Sequence, residues 1–249
     1  MKIDLNGKNV LVTGAAKRIG RELAIAVAEN GGNVAMHYYR SEDEIQKTKA
    51  DIEKIGVKVT TVKADLASYD DVKQMKEDIE VNLGTIDMIV NNAGWAQLKP
   101  FFKYEPEEWK RELDVCLNGV INLAHLFVPT MQEKNAGKFI NIVGDSARTG
   151  DRHLIVSAAA RSGTISFLKS LAKEVGRNQI QCNTVSLGMI DQGEFNEDLI
   201  AKIVKQYPLY RLGTPSDVVG MVLFLLSEQA NWITGQVFSV NGGHSMLGS

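Results

Sequence analysis

Residues 10–20 read V-L-V-T-G-A-A-K-R-I-G, and this stretch decides the fold. Its first residues are apolar or β-branched, as in a buried strand, and the amphipathic pattern of a helix starts at Ile19. Gly14 allows a tight turn between the two, and Gly20 lets the helix pack closely on the strand. The N-terminus of such a helix offers free N–H groups and the positive end of its dipole to a pyrophosphate. The stretch therefore predicts the strand, turn and helix that open a dinucleotide-binding βαβ unit.

The composition excludes several classes of protein. The chain has 249 residues, 44% of them apolar, and a net charge of −2 with no basic block for nucleic acid or an anionic membrane. Residues 1–5 lack the apolar core of a signal peptide, and no apolar run approaches the length of a membrane span. Cys116 and Cys182 form neither a disulfide framework nor a metal pattern, and the four histidines lack ligand spacing. We therefore expect a cytoplasmic protein with one domain over residues 1–249, without metal, nucleic acid or membrane partners.

Strand-like and helix-like runs alternate along the rest of the chain. Strands are predicted at 10–13, 33–38, 57–62, 86–90, 139–143, 180–185 and 236–240. Helices are predicted from 19 and at 41–55, 72–83, 107–131, 157–175 and 216–226. Such alternation with short connections predicts an α/β fold, a doubly wound parallel sheet with helices on both faces. The least regular segment, 187–207, is expected to cross the carboxyl edge of the sheet, where ligands bind.

Four motifs occur in a fixed order along the chain. They are T-G-A-A-K-R-I-G at 13–20, Asp65-Leu66, N-N-A-G at 91–94 and a C-terminal series R-L-G-T-P-S-D, I-T-G-Q and V-N-G-G. Together they resemble the short-chain dehydrogenase/reductase superfamily. The resemblance implies a Rossmann-type, seven-stranded parallel sheet and a homodimer or homotetramer built through the helices at 107–131 and 157–175. It also implies cofactor contacts at Gly14, Ile19, Gly20, Asp65, Leu66, Asn92, Ala93, Gly94, Arg161, Gly188 and Ile190.

Positive side chains surround the end of the second predicted strand. An NAD-preferring site would place an acid there to bond the ribose 2′-OH, but residues 37–41 read H-Y-Y-R-S. Arg40 and Ser41, with Lys17 and Arg18 of the glycine turn, offer cations and a hydroxyl where a 2′-phosphate would lie. This pattern resembles the NADP-dependent pteridine-reductase-like and 3-oxoacyl-ACP-reductase-like members of the superfamily. We therefore predict NADP(H) as the cofactor; the alternative is solvated charge at a strand end.

The four positions that carry chemistry in the superfamily have all changed. The resemblance implies a Tyr-x-x-x-Lys pair on one helix face, a serine that orients the substrate and an asparagine that supports a proton relay. These positions fall on Ser157, Arg161, Gly144 and Cys116. Serine is a far weaker acid than a tyrosine of pKa about 10, and arginine does not deprotonate. Because a positioned general acid contributes roughly 10²–10⁴ in rate, the usual carbonyl-reductase mechanism is predicted to be lost.

Other side chains near these positions are candidate substitutes. His153 and Asp145 are candidate acids, and Cys116 is a candidate nucleophile. The plain alternatives are an exposed loop histidine, a cap at the end of a strand and a buried small apolar side chain. Three aromatic residues follow N-N-A-G, namely Trp95, Phe101 and Phe102. They either stack on an aromatic ligand or pack in the core or at an interface. From the missing residues we predict an NADP(H)-binding protein with little or no catalysis, acting as a cofactor-binding sensor, scaffold or partner subunit. The alternative is an NADPH-dependent carbonyl or pterin-type oxidoreductase with a relocated proton donor, and a small-molecule ligand is compatible with both.

Overall fold

The computed structural model describes residues 3–193 and 195–246. Seven strands form one parallel sheet in the order β3-β2-β1-β4-β5-β6-β7. The strands are β1 (Asn9–Thr13), β2 (Asn33–Tyr38), β3 (Val59–Lys63), β4 (Met88–Asn91), β5 (Gly137–Gly144), β6 (Ile180–Leu187) and β7 (Val237–Val240). Because the strand order reverses between β1 and β4, a crevice opens at the carboxyl ends of these two strands.

Helices cover both faces of the sheet. Their bounds are α1 (Arg18–Glu29), α2 (Glu42–Glu53), α3 (Tyr69–Asn82), α4 (Pro106–Leu113), α5 (Gly119–Lys134), α6 (Ser146–Thr149), α7 (Ile155–Val175), α8 (Glu197–Ile203) and α9 (Pro215–Leu226). Val10 and Val12 pack with α1, α2 and α9 on one face, whereas Leu11 between them packs with α3, α5 and α7 on the other. Successive residues of a strand point to opposite faces, so an uninterrupted apolar strand supplies both cores. This architecture confirms the predicted doubly wound Rossmann-type fold with a seven-stranded parallel sheet.

The helix predicted at 107–131 is one run of three parts. Residues Asp114–Asn118 form a π-helical turn between α4 and α5, which shifts the faces of the two helices relative to each other. The whole run Pro106–Lys134 is long and apolar enough to cross a membrane by length and composition alone, contrary to the sequence expectation. Its buried apolar residues, including Leu123 and Phe127, lie in the core against the sheet, so one face of the run forms part of that core.

The segment after β6 leaves the carboxyl edge of the sheet, as predicted. It contains α8 and rejoins the domain where Ile190 forms a parallel bridge with Gly213. The Tyr207 hydroxyl accepts the Met189 N–H over 2.8 Å and fixes the base of the segment. Glu194 of this segment lies outside the described residues, as do Met1, Lys2 and residues 247–249.

Candidate active site

The turn after β1 is closed by two glycines. Gly14 has φ +62°, in the left-handed region, and a Cβ at Gly20 would lie 2.0 Å from the Gly14 carbonyl oxygen. A side chain at residue 20 would therefore push α1 away from β1. Arg18 is also left-handed, with φ 58°, so the backbone bends tightly at the first residue of α1. These conformations hold the N-terminus of α1 against the end of β1, as the sequence predicted.

A cleft of about 650 Å³ opens at the carboxyl ends of the central strands. Most of the predicted cofactor contacts line it: Gly14, Lys17, Arg18, Ile19, Gly20, Arg40, Ser41, Asp65, Leu66, Asn92, Ala93 and Gly94. The cleft is therefore shaped by the glycine turn, the end of β2, the end of β3 and the N-N-A-G turn. Gln192, from the segment after β6, also reaches its wall.

Three predicted cofactor contacts lie outside the lining of this cleft. Arg161 stands behind the N-N-A-G turn, where a Cβ on Gly94 would lie 2.7 Å from its Nη2. Gly188 packs on β7, since a Cβ there would lie 2.9 Å from the Asn241 Cα. Ile190 is buried, with 7% of its surface exposed. Contact of these three residues with a cofactor remains a prediction.

A chain of buried polar side chains joins the glycine turn to α7. The Thr13 hydroxyl bonds Asn91 Oδ1 over 2.7 Å and accepts the N–H groups of Asn92 and Ala93. Asn91 in turn donates to Asn141 Oδ1 over 2.8 Å. From Asn141 on β5 the chain of hydrogen bonds reaches α7: Asn141 Nδ2 donates to Thr164 Oγ1. The Thr164 hydroxyl in turn donates to the Arg161 carbonyl oxygen. A buried network in which every group is hydrogen-bonded fixes the geometry of its members. The glycine turn and α7 are therefore held in a fixed position relative to each other.

His37 supports the glycine turn rather than adding charge to it. Its Nδ1 accepts the Gly14 N–H over 3.2 Å and its Nε2 lies 3.0 Å from the Ala64 carbonyl oxygen, which requires a hydrogen on Nε2. Burial lowers the pKa of His37 to about 4, despite the opposing influence of Ala64 and Asp65. The imidazole is therefore neutral at pH 7.

The structure adds Arg111 to the cofactor cleft, a residue that the sequence analysis missed. Arg111 lines the cleft and binds the Asp65 carboxylate, with Nη1–Oδ2 at 2.8 Å and Nη2–Oδ1 at 2.9 Å. Its guanidinium also lies 5.7 Å from the ring centre of Tyr39, and that of Arg40 lies 5.1 Å from the same ring. Such cation–π contacts hold planar cations in place. No motif marks Arg111, because its role depends on the distance between α4 and the end of β3.

The altered catalytic positions lie on β5, on α7 and in the π turn, and none of the four lines the cleft. Gly144 is the last residue of β5, and Ser157 and Arg161 lie one turn apart on α7. Ser157 is 1% exposed. Cys116 lies in the π turn, where its Sγ donates to the Trp95 carbonyl oxygen over 3.0 Å and accepts the Trp95 N–H over 3.5 Å. The match of these four residues to the superfamily's catalytic positions remains a prediction.

Two of the substitute acids have structural roles. Asp145 is buried, and its carboxylate accepts hydrogen bonds from Ser186 Oγ, Asn241 Nδ2 and Ser245 Oγ, each at 2.6 Å. It therefore ties β5 to β6 and to the end of β7. His153 has a left-handed backbone, φ 69°, and its carbonyl oxygen accepts the Lys99 N–H over 3.1 Å. Both residues anchor loops around the site.

The aromatic residues after N-N-A-G divide between the two predicted roles. Trp95 lines the cleft. Phe101 stacks on Trp109 with ring centres 6.0 Å apart, so it packs internally. Phe102 is 95% exposed. Only Trp95 is therefore placed to meet a cofactor or substrate from the cleft wall.

A buried acid lies on α4, the helix that also carries Arg111. Glu112 on α4 has no exposed surface, and its Oε2 accepts a hydrogen bond from Tyr104 Oη over 3.0 Å. Burial raises the pKa of Glu112, while the Tyr104 hydroxyl, the Arg161 charge and the Gln97 backbone oppose the increase. The burial of Glu112 could have been predicted from the sequence, because Glu112 lies between Trp109 and Cys116 on the apolar face of a predicted helix.

Comparisons with known proteins agree with this geometry. The sequence profile of a family described as Enoyl-(Acyl carrier protein) reductase matches residues 14–245. The chain belongs to the short-chain dehydrogenase/reductase superfamily. A crystal structure of a superfamily protein from Sinorhizobium meliloti 1021, described as a short-chain alcohol dehydrogenase, matches with a TM-score of 0.92 and 28% identity over 98% of both chains.

Curated relatives in the superfamily carry the name of a reductase. The 3-oxoacyl-(acyl-carrier-protein) reductase FabG of Staphylococcus epidermidis is 35% identical over 245 residues, which cover 96% of this chain and 99% of the relative. FabG of Aquifex aeolicus is 34% identical over 98% of this chain and 99% of its own. The prediction of a non-catalytic sensor, scaffold or partner subunit is therefore wrong, because full-length relatives at this identity are named as reductases. The inference had judged catalysis from four positions alone.

Proposed function

We propose that this chain is an NADP(H)-dependent reductase of a carbonyl group on an acyl thioester. The observation that carries the proposal is the intact cofactor cleft, in which the glycine turn and the cations Lys17, Arg18 and Arg40 line one wall. The residues fit the cofactor, since glycine at residue 20 lets the N-terminus of α1 lie directly against the Gly14 carbonyl at the end of β1. When bound, NADPH supplies the hydride. The N-terminus of α1 would hold its pyrophosphate, and Arg40 would bind its 2′-phosphate.

The preference for NADP(H) over NAD(H) rests on charge at the end of β2. Arg40 and Ser41 occupy the position where an acid would bind the ribose 2′-OH, and no acidic side chain follows Tyr38 before Glu42. Among the described residues that line the cleft, Asp65 is the one acid, and its two bonds with Arg111 neutralise it. The local field of the cleft is therefore positive, which favours the phosphate-bearing cofactor.

The substrate class rests on the relatives and on the site. The curated relatives are named for 3-oxoacyl groups on acyl carrier protein, and the family profile is also described by an acyl-carrier-protein substrate. In this chain the wall of the cleft that follows the N-N-A-G turn carries Trp95, an apolar surface for an acyl chain. We therefore assign a 3-oxoacyl thioester as the substrate.

The direct test is oxidation of NADPH with acetoacetyl-coenzyme A as the thioester, followed at 340 nm, with NADH in parallel. Cofactor binding is measured separately by fluorescence titration. We expect tighter binding of NADPH than of NADH and turnover that requires the thioester. Tight NADPH binding without turnover of the thioester would contradict the reductase assignment, whereas equal binding of both cofactors would contradict only the NADP preference.

The assembly proposed with this function is a homodimer or homotetramer through α7 and the helix before β5. The small residues Ala159, Ser162 and Ser166 are exposed on α7 and allow a second helix to approach closely. Gly163 serves the monomer instead, since a Cβ there would lie 3.3 Å from Leu117 Cδ1. Light scattering at micromolar concentration should give a mass of two or four chains, and replacement of Ser162 by tryptophan should shift it towards one.

A further inference from the structure

We propose that the Tyr39 ring is the surface on which the adenine of the cofactor stacks. The inference rests on the proposed function and names the residue that recognises the base. Tyr39 follows β2 directly and lines the cleft. It is 40% exposed, whereas Tyr38 before it is 7% exposed. A flat aromatic ring that stays open to a cleft offers a stacking surface for a planar ligand, and every nucleic-acid base has such a face.

Two arginines lie beside the Tyr39 ring. The guanidinium carbon of Arg40, the next residue of the chain, lies 5.1 Å from the ring centre, and that of Arg111 on α4 lies 5.7 Å from it. Both distances are within the range of cation–π contacts, in which the ring attracts the cation. Because the two cations come from different elements of the fold, the ring keeps one of them when the other is replaced.

The Asp65 carboxylate fixes Arg111, and this leaves it little capacity to bind a base. Arg111 Nη1 donates to Asp65 Oδ2 over 2.8 Å, and Nη2 donates to Oδ1 over 2.9 Å. Oδ1 also accepts the Ala67 N–H over 3.0 Å. A carboxylate has about four acceptor sites, so the bonds from Arg111 and Ala67 use most of them. The contact that the superfamily makes between this aspartate and the adenine is therefore weakened here, and the open ring of Tyr39 supplies another interaction for the base.

The ring that stacks on Tyr39 is the adenine and not the nicotinamide. Arg40 and Ser41 lie where the 2′-phosphate is expected, and that phosphate is carried by the ribose of the adenosine. Arg40 is also the residue whose guanidinium contacts the Tyr39 ring. A phosphate bound by Arg40 would therefore bring the adenosine that carries it beside Tyr39.

Loss of the stacking surface has a signature that loss of a phosphate contact does not share. Removal of an aromatic side chain that stacks on a base should raise the Kd roughly 5- to 150-fold, which corresponds to about 1–3 kcal/mol. Because NADPH, NADH and 2′,5′-ADP all carry adenine, loss of the Tyr39 ring should weaken the binding of all three by the same factor. Loss of Arg40 should instead weaken NADPH far more than NADH. Cofactor binding alone therefore distinguishes the two roles, whatever the turnover.

The test compares Tyr39→Leu and Tyr39→Phe with the wild type by calorimetric titration with NADPH, NADH and 2′,5′-ADP. Tyr69→Leu is the matched control, because Tyr69 is 41% exposed and lies on α3, outside the lining of the cleft. We expect Tyr39→Leu to raise the three Kd values by one common factor within the range above. Tyr39→Phe keeps the stacking ring and should change each Kd by less than about twofold, as should Tyr69→Leu. Circular dichroism checks that each variant is folded.

A spectroscopic readout is the ultraviolet absorbance of bound 2′,5′-ADP, since stacking lowers the absorbance of a base. Binding should lower the adenine band with the wild type and with Tyr39→Phe, and should lower it less with Tyr39→Leu. An unchanged adenine band with the wild type would overturn the stacking role even if no leucine variant could be prepared.

Three results of the titrations would also overturn the stacking role. They are an unchanged Kd for 2′,5′-ADP in Tyr39→Leu, an equal rise in Tyr39→Phe, and a rise for NADPH without one for NADH. None of them affects the reductase assignment. A wild type that binds 2′,5′-ADP but turns over no thioester would overturn that assignment and leave the role of Tyr39 standing, whereas a wild type that does not bind 2′,5′-ADP would overturn both.

Discussion

Arg111 on α4 holds the Asp65 carboxylate through two parallel bonds, Nη1–Oδ2 at 2.8 Å and Nη2–Oδ1 at 2.9 Å. The superfamily resemblance assigns Asp65 to the adenine, so this pair sets the charge of the adenosine end of the cleft. Arg111→Ala would leave Asp65 as an uncompensated anion beside the predicted 2′-phosphate. We expect the Kd for NADPH to rise by roughly fivefold, about 1 kcal/mol, and the Kd for NADH to change less. Lys110→Ala removes an exposed neighbouring cation and serves as the control. If it raised the Kd for NADPH as much as Arg111→Ala does, the effect would come from net charge and not from the Arg111–Asp65 pair.

Arg40→Ala should separate the two cofactors. A charge-assisted bond to a phosphate contributes about 1.5–3 kcal/mol, so the Kd for NADPH should rise roughly ten- to a hundredfold. The Kd for NADH should stay within about twofold, because NADH has no group at that position. Fluorescence titration with both cofactors measures this, with Lys47→Ala, an exposed lysine of α2, as control. An equal rise in Kd for the two cofactors would show that Arg40 does not bind the 2′-phosphate.

Gly20→Ala should disrupt the cofactor cradle as a whole. Its Cβ would lie 2.0 Å from the Gly14 carbonyl oxygen, so α1 must move away from β1. We expect a loss of about 1–3 kcal/mol in the free energy of unfolding and weaker binding of NADPH and NADH alike. Gly176→Ala is the matched control, because nothing lies within 4 Å of its Cβ position. Urea unfolding and cofactor titration together check the prediction, which fails if Gly20→Ala behaves like Gly176→Ala.

His37 should make the stability of the fold depend on pH. Its pKa is about 4 in the folded chain against 6.5 as its ordinary value, because burial disfavours the charged ring. The unfolded chain therefore binds more protons between these values, and the contribution of His37 to stability is full above pH 6.5 and is lost as the pH falls towards 4. The shift corresponds to about 3 kcal/mol. Urea unfolding at several pH values should show this slope in the wild type and in His125→Gln, an exposed control, but a smaller slope in His37→Gln.

Asp145→Asn should lower stability without removing the reductase chemistry. The Asp145 carboxylate accepts hydrogen bonds from Ser186, Asn241 and Ser245, each at 2.6 Å. In Asp145→Asn an NH₂ group replaces one of the accepting oxygens, so it would face a group that donates in the wild type. We expect the free energy of unfolding to fall by about 2–3 kcal/mol while turnover per folded molecule is retained. Asp151→Asn, an exposed carboxylate, provides the comparison. A large loss of kcat in a stably folded Asp145→Asn would instead make Asp145 a proton donor.

The sequence by itself determined the order of strands and helices, the glycine turn and most of the wall of the cofactor cleft. These features depend on local properties, namely the periodicity of apolar residues and the freedom of glycine, which neighbouring residues in the chain reveal. The cleft gathers the predicted motifs because the carboxyl ends of parallel strands meet at one edge of the sheet.

Only the tertiary structure decided which side chains act together. Arg111 reaches Asp65 across 46 residues, and no local pattern predicts that contact. The burial of Glu112, with its effect on the pKa, follows from the packing of α4 against α7 and the loop that carries Tyr104. The sequence analysis looked for a proton donor at the superfamily's positions and found none there. The protonation of a group is decided by its surroundings, which packing supplies, and not by its place in the chain.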